Sequence, residues 1–223
     1  MQPKDTPSVF TPDNEPYLGL ESLLLFDRII CWSMESNQKI AAWTREKASL
    51  LTPLQRAACQ IIPQGIGIAL SIRELIRQGY LFSALILMRP LIERAATVSY
   101  LDANPEAVSL WENGWLYSKR PGLADRMASM AGGVPVSEAK NIVNVHNSMV
   151  HGDPLSCYHN LVVLPDGDVG YASGKILNNP DLCSAIAMEC QCYMIVLTGR
   201  MSNIFPNVIL NRPPHHDRGT AYC

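Results

Sequence analysis

Two histidines and an asparagine lie close together in the stretch HNSMVH at positions 146–151. If a helix begins near Ser137, Asn147 and His151 are four residues apart and project from one face. Imidazole exchanges a proton near neutral pH, so His151 is a candidate general acid or base, with Asn147 orienting it or a substrate phosphate. A structural role is the alternative. His151 precedes Gly152, a natural helix C-cap, and the helix dipole favours an imidazolium there.

His146 lies on a different side of the same predicted helix. At about 100 degrees per residue it falls on an apolar stripe with Ala139, Ile142, Val143, Met149 and Val150. It is therefore either a hydrogen-bonded core histidine or, together with Asp153, a contact for a substrate. A metal site made of His146, His151 and Asp153 is disfavoured, because the two histidines point about 140 degrees apart around the helix.

Charged residues interrupt the most apolar segment of the chain, which runs from Tyr80 to Asp102. Arg89 and Glu93 are four residues apart and can pair on one helix face, next to Arg94. Buried charges are costly unless they are paired and hydrogen-bonded. One interpretation is a structural ion pair that locks two helices together. The other is catalytic: Arg89 supplies a fixed cation for an anionic group, and Glu93 orients Arg89 or His151.

Other polar residues give weaker indications of a site. His215 and His216 with Asp217 have metal-binding side chains, but adjacent histidines in a polar tail are more often solvated. The chain has no H-E-x-x-H sequence, no glycine-rich phosphate loop and no G-x-S-x-G sequence. We therefore expect neither a metal nor a cofactor.

The elements that position these residues are predicted to be helices. The pattern indicates an all-α fold, a single helical bundle with a small β-hairpin at about 158–172, after the helix that carries the histidines. Pro63, with Gly65 and Gly67, is expected to kink or split the second helix, and Pro90 to bend the third. The main predicted helices cover about residues 17–36, 53–79, 80–102, 137–151 and 179–201.

The composition is that of one folded domain. The chain has 223 residues, 48% of them hydrophobic, and a net charge of -2, which gives no overall attraction to nucleic acid or anionic membranes. Seven cysteines without a C-x-x-C pair and the lack of a secretory signal favour reduced thiols, a cytoplasmic location and no membrane contact. We divide the chain into an extended or disordered arm (1–16), the bundle (17–205) and a tail (206–223).

The stretch from His146 to Gly152 resembles the R-N-x-x-V-H-G signature of HEPN domains, helical domains of many prokaryotic toxins and antiviral systems. The family asparagine matches Asn147 and the family histidine matches His151, whereas the family arginine is replaced by His146. Arg89 and Glu93, followed by Tyr100-Leu101, are also similar to the R-x-x-x-E helix of a HEPN-related group.

The resemblance implies a metal-independent endoribonuclease of a toxin–antitoxin or antiphage system. A homodimer, an RNA substrate, and an antitoxin or defence-system partner protein are expected with it. His151 would move a proton, with Asn147, Arg89 and Glu93 completing the catalytic site and His146 and Asp153 binding substrate. Since His146 cannot supply a guanidinium, either Arg89 takes that role or the domain is an inactive oligomerisation or nucleotide- or partner-binding module.

Overall fold

Helices packed through their apolar faces account for most of the structure. The computed structural model describes residues 15–116, 120–130 and 133–214. Within them the fold is an all-helical bundle with a single two-stranded antiparallel sheet, which confirms the predicted fold class. The helices are α1 (Glu21–Glu46), α2 (Pro53–Gln78), α3 (Leu81–Ile86), α4 (Met88–Ala103), α5 (Val108–Glu112), α6 (Leu123–Met127), α7 (Val136–His151), α8 (Pro154–Cys157) and α9 (Pro180–Ile204), and the strands are β1 (Leu161–Val163) and β2 (Val169–Tyr171).

The helices α9 and α4 lie at the centre of the bundle. α9 contacts α1, α2, α3 and α4, and α4 also contacts α6 and α7. Asn179 caps the start of α9 by accepting a hydrogen bond from the backbone amide of Leu182 at 2.9 Å. By length and composition α9 is apolar enough to cross a membrane, but half of its most apolar stretch is buried inside the bundle. It is the buried helix that the sequence predicts.

The second helix, α2, is continuous from Pro53 to Gln78, so it is not split at Pro63. Thr52 and Gln55 form a capping box at its start, and Gly79 ends it in a left-handed conformation with φ 81°. The helix packs against α4 and α9 along its length. Gly65 lies against the Leu197 side chain of α9, where a methyl group would collide. Packing on two sides therefore holds the helix across its proline.

The apolar segment after Gly79 is divided into two helices, α3 and α4. The division is at Leu87, three residues before Pro90, so the proline lies in the first turn of α4. A proline is tolerated there because the amide it lacks would have no partner within the helix. The expected disturbance of this segment is present, but it is a helix start and not a bend within one helix.

The predicted hairpin is present and follows α8. β1 and β2 pair Leu161 with Tyr171, Val162 with Gly170 and Val163 with Val169. The turn between them is closed by a hydrogen bond from the amide of Leu164 to the carbonyl of Asp168 at 2.8 Å. Gly167 in this turn has φ 89°, a conformation that glycine adopts at little cost.

The described parts of the predicted arm and tail pack on the bundle. Glu15 is buried and pairs with the buried Arg73 of α2 at 2.5 Å. Trp32 of α1 donates a hydrogen bond from Nε1 to the carbonyl of Asn211 at 2.9 Å. Glu15 of the predicted arm and Asn211 of the predicted tail therefore both contact the bundle. Residues 1–14 and the His215-His216 pair lie outside the described residues.

The expectation of reduced cysteines is met by most of the described thiols, but not by Cys192. Cys192 is disulfide-bonded, whereas the other described cysteines are free. Burial raises the pKa of the Cys183 thiol to about 12, so this side chain stays protonated at neutral pH. The free thiols are Cys31, Cys59, Cys157, Cys183 and Cys190.

Candidate functional site

The two polar groups singled out in the sequence meet where α4 packs against α7. Because α4 starts at Met88, Arg89 and Glu93 lie in its first two turns. α7 ends at Gly152, whose left-handed conformation, with φ 71°, lets the chain turn away directly after His151. The first turns of α4 therefore face the last turns of α7.

An open pocket of about 340 Å³ lies between these helix ends. Arg89, Glu93, Asn147 and His151, the four predicted catalytic residues, all line it. The rest of the lining is apolar and comes from the end of α3, the start of α4 and the last turn of α7. These residues are Ile86, Leu87, Pro90 and Val150. The pocket opens to solvent, and His151 is exposed.

Arg89 is held from two sides. Its Nε donates a hydrogen bond to Oδ1 of Asn147 at 3.0 Å, across the interface between α4 and α7. Its NH1 lies 3.2 Å from Oε1 of Glu93. The pairing of Arg89 with Glu93 is therefore as predicted. Asn147 was expected to orient His151 or a substrate, but it contacts the guanidinium of Arg89 instead. Two anchors fix the plane of that group in the pocket.

Glu93 is surrounded by more arginines than the sequence suggested. Arg94 lies 3.8 Å from Oε2 of Glu93, and Arg120 and Arg126 lie 3.7 and 3.9 Å from Oε1. We call Arg89, Arg94, Arg120 and Arg126 the arginine cluster. Arg120 and Arg126 were not anticipated, because they are brought to α4 by the packing of α6 and the chain before it, and no local pattern in the sequence marks that contact.

Burial within this cluster is uneven. The side chain of Arg126 is 4% exposed and that of Arg120 is 48% exposed. Burial, and next the charge of Arg120, lower the pKa of Arg126 to about 10, while Glu93 acts in the opposite direction. Arg126 therefore remains a cation at neutral pH, at a cost that Glu93 offsets only in part.

The structure places His146 away from the pocket. Its side chain is 3% exposed, and Nε2 lies 2.7 Å from Oε1 of Glu189 on α9. His146 is thus the hydrogen-bonded core histidine that the sequence left open. The position of the family arginine points into the bundle, so an arginine there would not enter the pocket. Val150, placed on the apolar stripe with His146, is instead 47% exposed and lines the pocket.

Asp153 also lies outside the pocket lining. It precedes α8, and its carbonyl accepts hydrogen bonds from the amide and hydroxyl of Ser156 at 2.8 and 2.7 Å. The expected joint contribution of His146 and Asp153 to a substrate site therefore has no counterpart in this pocket. Across residues 15–116, 120–130 and 133–214, no group of three or more metal-binding side chains is present.

The geometry suits chemistry on an anion. An imidazole and a fixed guanidinium line the same open pocket, and such groups can transfer a proton and stabilise negative charge. Comparison of the chain with protein-family models, with curated proteins and with solved structures found no match.

Proposed function

We propose that the pocket between α4 and α7 cleaves RNA without a metal, in a HEPN-like manner. One observation carries this proposal: Arg89, fixed by Asn147 and Glu93, lines the same pocket as the exposed His151. In this proposal the Arg89 guanidinium, from α4, takes the role that the resemblance gives to an arginine on α7. It compensates for the replacement of the family arginine by His146.

The chemistry follows from these two groups. The 2'-hydroxyl of a ribose loses its proton and attacks the adjacent phosphorus, and the bond from phosphorus to the 5'-oxygen of the next nucleotide breaks. Neutral His151 takes the proton of the 2'-hydroxyl while water protonates the leaving 5'-oxygen, or protonated His151 protonates the leaving 5'-oxygen while water takes the first proton. Arg89 stabilises the charge that develops on the phosphate oxygens. The products are a 2',3'-cyclic phosphate and a 5'-hydroxyl.

The setting that we propose is the one that the resemblance implies. The protein acts in a prokaryotic toxin–antitoxin or antiphage defence system in the cytoplasm, as a homodimer controlled by an antitoxin or another partner protein. The pocket lies open on one face of the bundle. A partner that covered this face would block access to RNA.

The test is cleavage of single-stranded RNA by the purified protein in EDTA. We expect wild-type protein to leave 2',3'-cyclic phosphate ends, which mass spectrometry detects, and His151→Ala to be slower by about 100-fold or more. Since His151 is exposed, the thermal midpoint should change little. Asn144→Ala, an exposed change on the same helix, is the control and should cleave normally. No cleavage by wild type, or undiminished cleavage by His151→Ala, would refute the proposal.

The second candidate function is an inactive module for oligomerisation or for binding a nucleotide or partner protein. It is favoured by the exposed apolar side chains of the hairpin, where Val163 and Val169 are 64% exposed and Tyr171 is 73% exposed. In that case Val169→Asp should reduce the assembled mass measured by light scattering, and His151→Ala should leave activity in cells intact. An unchanged mass for Val169→Asp would count against this candidate.

A further inference from the structure

The arginine cluster holds more hydrogen-bond donors than Glu93 uses. Three of its four arginines lie 3.7 to 3.9 Å from the Glu93 carboxylate, beyond hydrogen-bond length. Arg94 gives its Nε to Gln64 at 2.9 Å, and Arg126 gives NH1 to the hydroxyl of Thr97 at 2.5 Å. Within the described residues, the buried Nε of Arg126 has no partner. Arg94 and Arg120, whose side chains are 33% and 48% exposed, carry further donors that no hydrogen bond to Glu93 occupies.

The cluster also carries a surplus of positive charge. Four guanidinium groups share the one carboxylate of Glu93, and the charges of Arg89, Arg94 and Arg120 all disfavour the charged form of Arg126. A structural ion pair needs a single arginine per carboxylate. Gathering four cations around one carboxylate costs stability, and an added anion would relieve that cost.

We propose that the arginine cluster binds a backbone phosphate of the RNA, next to the phosphate that is cleaved between Arg89 and His151. This inference rests on the proposed function. Arg89 belongs both to the pocket lining and to the cluster, and Glu93 of the lining pairs with Arg89, so the two phosphate positions adjoin. Guanidinium groups bind phosphate with two parallel hydrogen bonds, which suits arginine better than lysine for this task.

Successive phosphates of one strand fit the arrangement better than a single mononucleotide does. Among the residues that the structure describes, the lining of the pocket consists of aliphatic and polar side chains and includes no aromatic ring on which a base could stack. Binding must therefore come mostly from the sugar-phosphate backbone, and contacts of that kind position a strand without reading its bases. The cluster sets the direction in which the strand leaves the pocket.

The experiment measures binding of a fully 2'-O-methylated RNA oligonucleotide, which cannot be cleaved through its 2'-oxygens. Fluorescence anisotropy gives the dissociation constant over a series of salt concentrations. The variants are Arg120→Gln and Arg94→Gln, both partly exposed, so that folding is not at risk. Arg56→Gln is a matched control, since the Arg56 side chain is 47% exposed and pairs with Glu112 on α5, compared with 48% for Arg120.

We expect each cluster variant to weaken binding by about 3- to 10-fold. Loss of one phosphate contact should also reduce the salt slope of the logarithm of the binding constant by about 0.7. Arg56→Gln should bind like wild type. Equal weakening by Arg56→Gln and Arg120→Gln, or no weakening by either cluster variant, would overturn the inference.

The outcome is separable from the proposed cleavage. If the cluster variants lose binding but wild type cleaves no RNA, the phosphate site stands and the nuclease proposal fails. If wild type cleaves RNA but the cluster variants bind normally, cleavage stands and the phosphate site is refuted.

Discussion

At the scale of single residues, Arg89 is the group on which the chemistry depends. Its two contacts, one to Asn147 on α7 and one to Glu93 on its own helix, leave it little rotational freedom. A cation that is already oriented loses little entropy when a phosphate arrives. Lysine at this position would keep the charge but could not contact both anchors and the phosphate with a planar group.

We therefore expect Arg89→Lys to reduce the single-turnover rate of RNA cleavage by about 100-fold. The thermal midpoint should change much less than the rate, because the ion pair with Glu93 can still form. Arg45→Lys, an exposed change in the last turn of α1, serves as the control. A cleavage rate close to wild type for Arg89→Lys would show that a mobile cation suffices, contrary to this mechanism.

The sequence predicted four residues of the pocket and missed two of the surrounding arginines. Arg89 with Glu93, and Asn147 with His151, are pairs four residues apart, and helical periodicity places each pair on one face. Arg120 and Arg126 reach the same place only through the packing of α6 on α4. Such a contact depends on the tertiary arrangement, which periodicity does not encode.

At the scale of elements, a buried ionic network joins α1, α2 and the segment before α1. Arg73 of α2 pairs with Asp27 of α1 through Nε and with Glu15 through NH1, both at 2.5 Å, and all three side chains are at most 1% exposed. These contacts raise the pKa of Arg73, although burial opposes them. Removal of the cation would leave two carboxylates buried together.

Arg73→Met should therefore lower the free energy of unfolding by about 3 to 5 kcal/mol, as measured by urea denaturation. Arg77→Met, in the same helix, removes a partly exposed arginine that pairs with Glu74 three residues earlier. This control should unfold at nearly the wild-type urea concentration. If the two variants were equally stable, the buried network would have no special role.

The short 3-10 helix after α8, Tyr158–Asn160, gives the protein a pH-dependent element. Burial, and next the charge of His146, lower the pKa of His159. Below the unfolded value of about 6.5, the unfolded chain therefore binds this proton more readily than the folded chain, and stability is lost as the pH falls.

The substitution His159→Gln should remove this loss of stability at low pH. Between about pH 7.5 and about pH 5, the thermal midpoint of the variant should fall less than that of wild type. Calorimetry measures the thermal midpoints of both proteins at both pH values. The difference between the two midpoints at the higher pH serves as the baseline. Parallel curves for the two proteins would contradict the prediction.

Element boundaries were predicted well where capping residues mark them and less well where packing decides. Thr52 before Pro53 and Asn179 before Pro180 mark the starts of α2 and α9, and both helices begin there. The continuity of α2 across Pro63 depends instead on its contacts with α4 and α9. The rule that a proline interrupts a helix considers only the local chain and leaves out the free energy of this packing.

At the scale of the whole molecule, one apolar core runs through the bundle and includes residues from α1, α2, α4 and α9. Its members are distant in the sequence, so the helices stabilise one another and not only their neighbours along the chain. The net charge of -2 is also a whole-molecule property, and it conceals the local surplus of positive charge in the arginine cluster.

We expect the chain to unfold in one cooperative transition, as a single domain does. Tryptophan fluorescence reports on tertiary packing, since Trp43 of α1 lies edge-on against Phe205 after α9, with ring centres 6.2 Å apart. Far-ultraviolet circular dichroism reports on the helices. The two urea curves should coincide, and separate midpoints would indicate two independently folding units.

The central position of α9 determines when the protein can fold during synthesis. α1, α2 and α4 each bury side chains against α9, which follows them by many residues in the chain. Until α9 has left the ribosome, those apolar faces have nothing permanent to cover them, and they are exposed to aggregation and to chaperones. The bundle can therefore close only after α9 has been synthesised, and α4, which carries Arg89, is fully packed only after α9 has docked.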